Sequence, residues 1–267
     1  MVTKARARQC REAARELLSE YHVSHPDDIR LETIAWHKGR LRVKRGGLTG
    51  ADGRIIASPT GGGVIRVASQ NNDERTRFTL AHEIGHFVLH ADKPIDKSDN
   101  AQTLIVWHDD SEEAEANIFA AELLMPEFLF GPASRKTTPS IEHLEGLAKI
   151  FGTSLTATTF QYWEYTNEPL AVVISDGWEM TRFSPIRDKS AWIRFGQIHE
   201  HSAAGERLDG KARDSRGMVD TPAYAWLEGF EDDNEHFVKE DSLYLEYYDR
   251  TISLIWIDEP LVEDEEH

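Results

Sequence analysis

Cysteine is almost absent from this chain of 267 residues, where Cys10 is the only one. A single cysteine excludes an internal disulfide framework and a cysteine-rich zinc site, and it is typical of a reducing compartment. Long apolar runs are also missing, since no stretch approaches the roughly 20 apolar residues of a membrane-spanning helix. The basic N-terminus is not followed by an apolar segment of secretory type. We therefore expect a soluble, cytoplasmic protein with no membrane partner.

Positive charge is scarce as well. The chain has 30 Lys and Arg against 47 Asp and Glu, so its net charge is −17 with histidine neutral. Phosphate contacts need clustered basic side chains, so we expect no direct binding of nucleic acid. A predicted helix pair over 140–165 resembles a helix-turn-helix, but its second helix opens with Leu155, Thr156 and Ala157 rather than basic or amide residues. The basic start of the first helix, Lys4 to Arg11, is interpreted as a solvated face.

Apolar periodicity predicts an α+β chain. Helices are predicted over 4–21, 71–90, about 110–125, 140–152 and 154–165, and short strands at 40–44, 54–56 and 64–67. After Pro169 the pattern changes to short apolar runs, which predict a β-rich region: 170–174, 192–195, 243–247 and 252–257. A polar stretch at 202–220 interrupts these runs. Residues 258–267 form an acidic tail that we expect to fray.

The C-terminal half is rich in aromatic residues, and most of them are expected to be core. They are Trp192, Phe195, Tyr224, Trp226, Tyr244, Tyr247, Tyr248 and Trp256. The metal ligands and the general base that are predicted below all precede Pro126, so we expect this half to recognise a protein substrate or to sense a signal.

The chemistry is predicted from one motif, His82-Glu83-Ile84-Gly85-His86, which is an H-E-x-x-H match. With about 100° per residue, both imidazoles and the Glu83 carboxylate fall on one face of the helix. The opposite face is apolar and predicts burial. Two histidines one helical turn apart match zinc, and Glu83 lies beside them, where a general base for metal-bound water is needed.

A catalytic zinc site needs a third protein ligand. The helix predicted from about residue 110 carries Glu113 on the same face as small residues, which allows a close approach to another helix. Glu113 is therefore the predicted third ligand. Glu112 lies on a flank that geometry alone does not dismiss, and His90 and His108 are weaker alternatives. We predict one zinc ion per chain, with manganese or iron less favoured.

Two blocks of this sequence resemble the ImmA/IrrE metallopeptidases. They are Arg77-Phe78-Thr79-Leu80-Ala81-His82-Glu83-Ile84-Gly85-His86 and, further along, Glu113-x-x-Ala116-Asn117-x-Phe119-Ala120-Ala121-Glu122-Leu123-Leu124-Met125-Pro126. The resemblance covers about residues 60–165. It implies that His82, His86 and Glu113 hold the metal, in agreement with the helical faces, and that Glu83 is catalytic. It also implies a gluzincin-like domain with a small sheet and active-site helices.

The predicted organisation is a metallopeptidase domain over 1–167, a β-rich region over 168–257 and the acidic tail. The resemblance implies an intracellular endopeptidase that cuts a helix-turn-helix repressor and thereby relieves repression of mobile-element or stress genes. Many members of that family carry a helix-turn-helix fused at the N-terminus, and we expect none in this chain. The alternative is a non-proteolytic metal-containing regulator, but its signature, loss of Glu83 or of a ligand, is missing here.

Two details stay open at this stage. The strand Val64–Val67 precedes the active-site helix, so it is either the edge along which a peptide lies or an ordinary internal strand. The donor that stabilises the oxyanion is not identified among Tyr162, Tyr165, Tyr224 and several Arg and His residues.

Overall fold

The computed structural model of the protein describes residues 2–90, 92, 94–99, 112–135, 138–187, 191–211, 216–230 and 235–258. Contacts divide the chain into two compact units: Met1–Pro132 with Ala148–Ala157, and Ala133–Leu147 with Thr158–His267. The division cuts three helices: α5 (Glu127–Ser134), α6 (Ile141–Phe151) and α7 (Leu155–Tyr165). The boundary predicted at 168 stays a prediction. His108 and the acidic tail from residue 259 onward lie outside the described residues.

A four-stranded sheet organises the first unit. Its strands are β1 (Leu41–Gly46), β2 (Gly53–Ala57), β3 (Gly63–Ala68) and β4 (Ile95–Asp99), in the order β1-β3-β2-β4. β1 runs parallel to β3, and the other pairs are antiparallel. Because β3 is paired on both sides, the hypothesis that Val64–Val67 is a substrate-binding edge is wrong. β4 was not predicted, since its sequence, Ile-Asp-Lys-Ser-Asp, has a single apolar residue.

The helices of the first unit include α1 (Lys4–Glu20), α2 (Leu31–Gly39), α3 (Asp73–His90) and α4 (Glu112–Leu124). α2 and α3 contact the sheet, and α1 and α4 pack on α3. The sequence pattern predicted no helix between residues 21 and 71, and α2 corrects this. The buried residues Leu31, Ile34 and Ala35 do follow a helical spacing, but α2 spans only nine residues, which is too short for a clear periodic signal. None of the described helices is long and apolar enough to cross a membrane.

The N-terminal helix α1 is tied to α4 by two ion pairs. Arg6 donates two hydrogen bonds to the carboxylate of Glu115, at 2.8 and 2.6 Å. Arg15 donates to Glu122 at 2.7 Å, and the Glu122 side chain is only 1% exposed. The interpretation of Lys4 to Arg11 as a solvated face is therefore wrong for Arg6, whose partner lies more than a hundred residues away in sequence. α1 thus supports the helix that carries Glu113.

A five-stranded antiparallel sheet organises the second unit. Its strands are β5 (Leu170–Asp176), β6 (Glu179–Ser184), β7 (Val219–Pro222), β8 (Phe237–Leu245) and β9 (Arg250–Trp256), in the order β6-β5-β9-β8-β7. A short helix, α8 (Ala203–Leu208), packs on β8. The predicted α+β class, with a β-rich C-terminal region, is confirmed.

The expectation that most C-terminal aromatics are core is wrong. Of those that the structure describes, only Trp226 is fully buried. Trp192 is 63% exposed and Phe195 58% exposed, and Tyr248 is 59% exposed. The run from 192 to 195 forms only an isolated bridge from Ile193 to Leu227 and no strand. Without strand pairing, Trp192 and Phe195 stay largely exposed, although the Phe195 ring contacts Phe183 on β6 at a centroid distance of 5.4 Å.

One buried carboxylate, Glu240 on β8, gathers donors from across the second unit. Its Oε2 accepts hydrogen bonds from the amide of Ala203, the hydroxyl of Thr221 and the indole of Trp226, at 2.9, 2.8 and 2.7 Å. Its Oε1 accepts from the amide of Ala204 at 2.8 Å and the hydroxyl of Ser242 at 2.6 Å. A buried charge needs such compensation, so Glu240 connects α8, β7 and β8.

We expect Glu240→Gln to lower the free energy of unfolding by about 3 kcal/mol, because the new amide group faces donors instead of accepting from them. The measurement is urea unfolding followed by tryptophan fluorescence. Glu206→Gln is the matched control, since Glu206 is exposed on α8 and should change stability by less than about 0.5 kcal/mol. Equal effects of the two variants would contradict a structural role for the Glu240 network.

Candidate metal centre

The helix that carries the H-E-x-x-H motif is α3. Its N-terminus is capped by Asn72, whose Oδ1 accepts a hydrogen bond from the amide of Arg75 at 2.8 Å, and acidic residues occupy its first turn. Further along, α3 passes close to α4. A Cβ on Gly85 would lie 3.0 Å from the Phe119 ring and 3.2 Å from the carbonyl oxygen of Ala116. The small residues therefore permit the helix approach that the sequence predicted.

This approach brings the three predicted ligands together. The Nε2 atoms of His82 and His86 lie 3.0 Å apart. Oε2 of Glu113 lies 3.2 Å from each of them. Both histidines are fully buried, while Glu113 is partly exposed. Among the described residues, this trio is the group of His, Cys, Asp and Glu side chains whose geometry suits a metal ion.

The donor set fits a divalent metal. Ligand atoms about 2.0–2.1 Å from a tetrahedral zinc ion lie roughly 3.3 Å from one another, close to the three distances found here. Burial lowers the pKa of His86 even though the contact with Glu113 opposes it. The His86 imidazole is therefore neutral at pH 7, as a metal ligand must be.

Asn117, on α4, orients the first of these imidazoles and was missed by sequence reasoning. Its Oδ1 lies 2.8 Å from Nδ1 of His82, and both residues are buried. Because the amide oxygen only accepts, Nδ1 carries the proton and Nε2 keeps its lone pair toward the site. The available signal was spacing, since Asn117 follows Glu113 by one helical turn and shares its face.

Lys97, on the edge strand β4, holds the carboxylate of Glu113 from the other side. Its Nζ lies 3.1 Å from Oε1 of Glu113 and 2.6 Å from Oε2 of Glu112. Burial lowers the pKa of Lys97, but its hydrogen bonds with the two carboxylates outweigh this, so the pKa is raised. The ammonium group is thus charged. It pairs with Oε1 of Glu113, so the other carboxylate oxygen, Oε2, faces the histidines. No sequence pattern identified this residue.

The alternative ligands lie elsewhere. Nε2 of His90 faces Oε2 of Glu115 at 3.6 Å, and Glu112 is engaged by Lys97. The three tyrosines proposed as oxyanion donors, Tyr162, Tyr165 and Tyr224, belong to the second unit. Tyr162 is 2% exposed, and the Tyr224 hydroxyl lies 2.9 Å from Nδ1 of His201.

Glu83 is fully buried beside the two histidines, and a glycine on β2 makes room for it. A Cβ on Gly53 would overlap Oε1 of Glu83 and lie 2.6 Å from a methyl group of Thr79. Position 53 alternates with the exposed Arg54, so it faces α3. Any larger residue at position 53 would displace the carboxylate. The sequence pattern assigned no role to Gly53.

Comparisons with known proteins agree with this site. Residues 37–161 match the sequence profile of the Peptidase_M78 family, described as the IrrE N-terminal-like domain. The radiation response metalloprotease IrrE of Deinococcus deserti is 33% identical over 119 residues, which are 42% of this chain and 40% of that protein. The protein of the same name from Deinococcus radiodurans is 32% identical over 119 residues, or 42% of this chain and 34% of its own length. The chain thus matches well under half of either relative.

A solved structure shares the fold. A Mycobacterium tuberculosis transcriptional regulator superposes with a TM-score of 0.59 over 93% of this chain and 75% of its own, at 16% sequence identity. At that identity the similarity concerns the fold alone.

Proposed function

We propose that the protein is a cytoplasmic, zinc-dependent endopeptidase, because its residues 37–161 match the IrrE N-terminal-like domain and the two matching relatives are IrrE metalloproteases. The observation that carries the proposal is the convergence of two buried imidazoles and one carboxylate on a space the size of a metal ion. The buried glutamate in the same helical turn supports hydrolysis rather than metal storage. The names of the two Deinococcus relatives, both metalloproteases, support the same activity.

In this proposal His82, His86 and Glu113 hold the metal. Two imidazoles and a carboxylate suit zinc best, while manganese and iron accept the same donors. When bound, the metal supplies Lewis acidity, which lowers the pKa of a water molecule and polarises the scissile carbonyl. Asn117 keeps His82 in the tautomer that a ligand needs, and Lys97 orients Glu113.

Glu83 does the proton chemistry. Its carboxylate accepts a proton from the attacking water and later donates it to the nitrogen of the leaving amine, so it returns to its starting state. The carboxylate is buried between α3, which carries it, and β2. This burial favours both proton transfers, because bulk water competes less in a low-dielectric site. Gly53 supports this role by leaving the space that the carboxylate occupies.

The substrate that we propose is a helix-turn-helix transcriptional repressor, whose cleavage relieves repression of mobile-element or stress genes. The support for this finer statement is the family resemblance. We further propose that residues 1–167 form the cutting domain and that residues 168–257 recognise the substrate or sense a signal.

The experiment is incubation of the purified protein with candidate repressors encoded by neighbouring genes, with and without a chelator. We expect one repressor to be cut at a discrete position, and we expect the chelator to stop the cleavage. A repressor that binds the metal-loaded protein but stays intact would favour the alternative function, a regulator that acts by protein binding.

A prediction follows from the space at Gly53. We expect Gly53→Ala to lower kcat by about 10²-fold, the scale for a misplaced catalytic group, while the metal content stays unchanged. Gly47→Ala is the matched control, since no atom lies within 4 Å of a Cβ at that position. The measurement is cleavage rate together with elemental analysis. Wild-type turnover in Gly53→Ala would mean that Glu83 tolerates displacement.

A further inference from the structure

The first sheet carries an unusual share of positive charge. Residues 38–66 contain seven Lys or Arg and one acidic residue, in a chain whose net charge is −17. The negative charge of the protein is therefore concentrated elsewhere, and this segment has the opposite sign.

The strand register gathers these charges on one face. Lys44 on β1 lies opposite Arg66 on β3, which lies opposite Arg54 on β2. Arg42 lies two residues before Lys44 and shares its face, and all four side chains are exposed. Neighbouring strands lie about 4.8 Å apart, so three positive side chains form one row across the sheet. Like charges directly opposite each other destabilise a sheet, so this row is a cost to folding.

The charges are only partly compensated. Arg54 donates to Asp96 at 2.9 Å. Within the part of the chain that the structure describes, no carboxylate lies within ion-pairing distance of Arg42, Lys44 or Arg66.

Aliphatic side chains share the same face. Ile56 is 49% exposed, and its cross-strand neighbour Val64 is half-buried. Val64 also lies opposite Arg42, so Arg42, Val64 and Ile56 form a second row across the sheet. We call this surface the basic face and define it as Arg42, Lys44, Arg54, Ile56, Val64 and Arg66.

We propose that the basic face docks an acidic segment of a partner protein, in which aliphatic side chains are spaced among carboxylates. Carboxylates pair with guanidinium groups in a bidentate manner, and aliphatic groups of the segment would cover Ile56. A nucleic acid fits less well, because the basic face has no aromatic side chain on which bases could stack, and the net charge of −17 repels a polyanion. The inference is independent of the peptidase proposal, because α3 packs on the opposite face of the sheet.

The test uses the full chain and a fluorescein-labelled peptide, (Glu-Leu-Glu-Glu)₃, with binding followed by fluorescence anisotropy. The comparison probes are (Gln-Leu-Gln-Gln)₃ and a 12-mer oligothymidine. We expect only the acidic peptide to bind, with an affinity that falls as salt is added. Lys44→Glu/Arg66→Glu should weaken binding at least about tenfold, and the milder pair Arg42→Gln/Arg66→Gln should weaken it in the same direction.

The matched control is Arg30→Glu/Lys149→Glu, which makes the same charge change at exposed positions outside the basic face. It should leave the affinity unchanged within twofold, or about 0.4 kcal/mol. The proposal is overturned if no acidic peptide binds, if both charge-reversal pairs weaken binding equally, or if oligothymidine binds more tightly through the same residues. Binding that appears only after removal of residues 259–267 would instead assign the basic face to the chain's own acidic C-terminus.

Discussion

Glu83→Gln is expected to keep its metal and to lose at least about 10²-fold in kcat, the scale for removal of a positioned general base. Glutamine has the size and shape of glutamate, so the space beside Gly53 stays filled and the three ligand side chains keep their positions. It does not accept a proton at neutral pH, so only the proton transfer is removed. The measurement is the rate of cleavage of the repressor that the wild-type protein cuts, together with elemental analysis of the variant.

Glu74→Gln is the control for this change, because Glu74 is exposed in the first turn of the same helix. It should cleave at the wild-type rate. If Glu83→Gln cleaves as fast as the control, Glu83 is not the base and the mechanism is wrong. If it loses its metal, the carboxylate has a structural role that the proposed division of labour does not include.

The second large effect concerns the metal. Protein purified without added metal should contain about one equivalent per chain, mainly zinc. His82→Ala and Glu113→Gln should each lose most of it, because two remaining ligands do not hold zinc against competition from buffer and chelator. Elemental analysis of each variant gives the answer directly, and it does not depend on knowing the substrate.

The controls are Glu112→Gln and His90→Ala, which remove the neighbouring alternatives and should keep their metal. Full retention by Glu113→Gln would move the third ligand to Glu112 or His108. Loss in every variant, controls included, would indicate general unfolding, which circular dichroism of the same samples would reveal. Iron or manganese in the wild-type protein would keep the site but correct the metal.

Most of the longer helices and several of the strands were predictable, but the order of the strands in the sheets was not. α1, α3 and α4 were predicted from apolar residues that recur at helical spacing over several turns, and this signal is local in the sequence. β4 and α2 were missed because β4 has one apolar residue and α2 spans only nine residues. The position of β3 inside its sheet was equally invisible, since strand order depends on pairings between distant segments.

The sequence by itself determined which side chains share a helical face. His82, Glu83 and His86 lie together because of the helical repeat, and Glu113 shares a face with small residues for the same reason. Only the tertiary structure decided what those faces meet. The close contact of Gly85 with Ala116 sets the distance from Glu113 to the histidines, and it also places Asn117 against His82.

Two further contacts at the site correspond to no local sequence pattern. Lys97 reaches Glu113 from a strand that sequence reasoning did not predict, and Gly53 makes room for Glu83 across a gap of thirty residues. Periodicity describes one element at a time, whereas a catalytic site joins several elements. Its geometry therefore depends on packing between segments that are far apart in the chain.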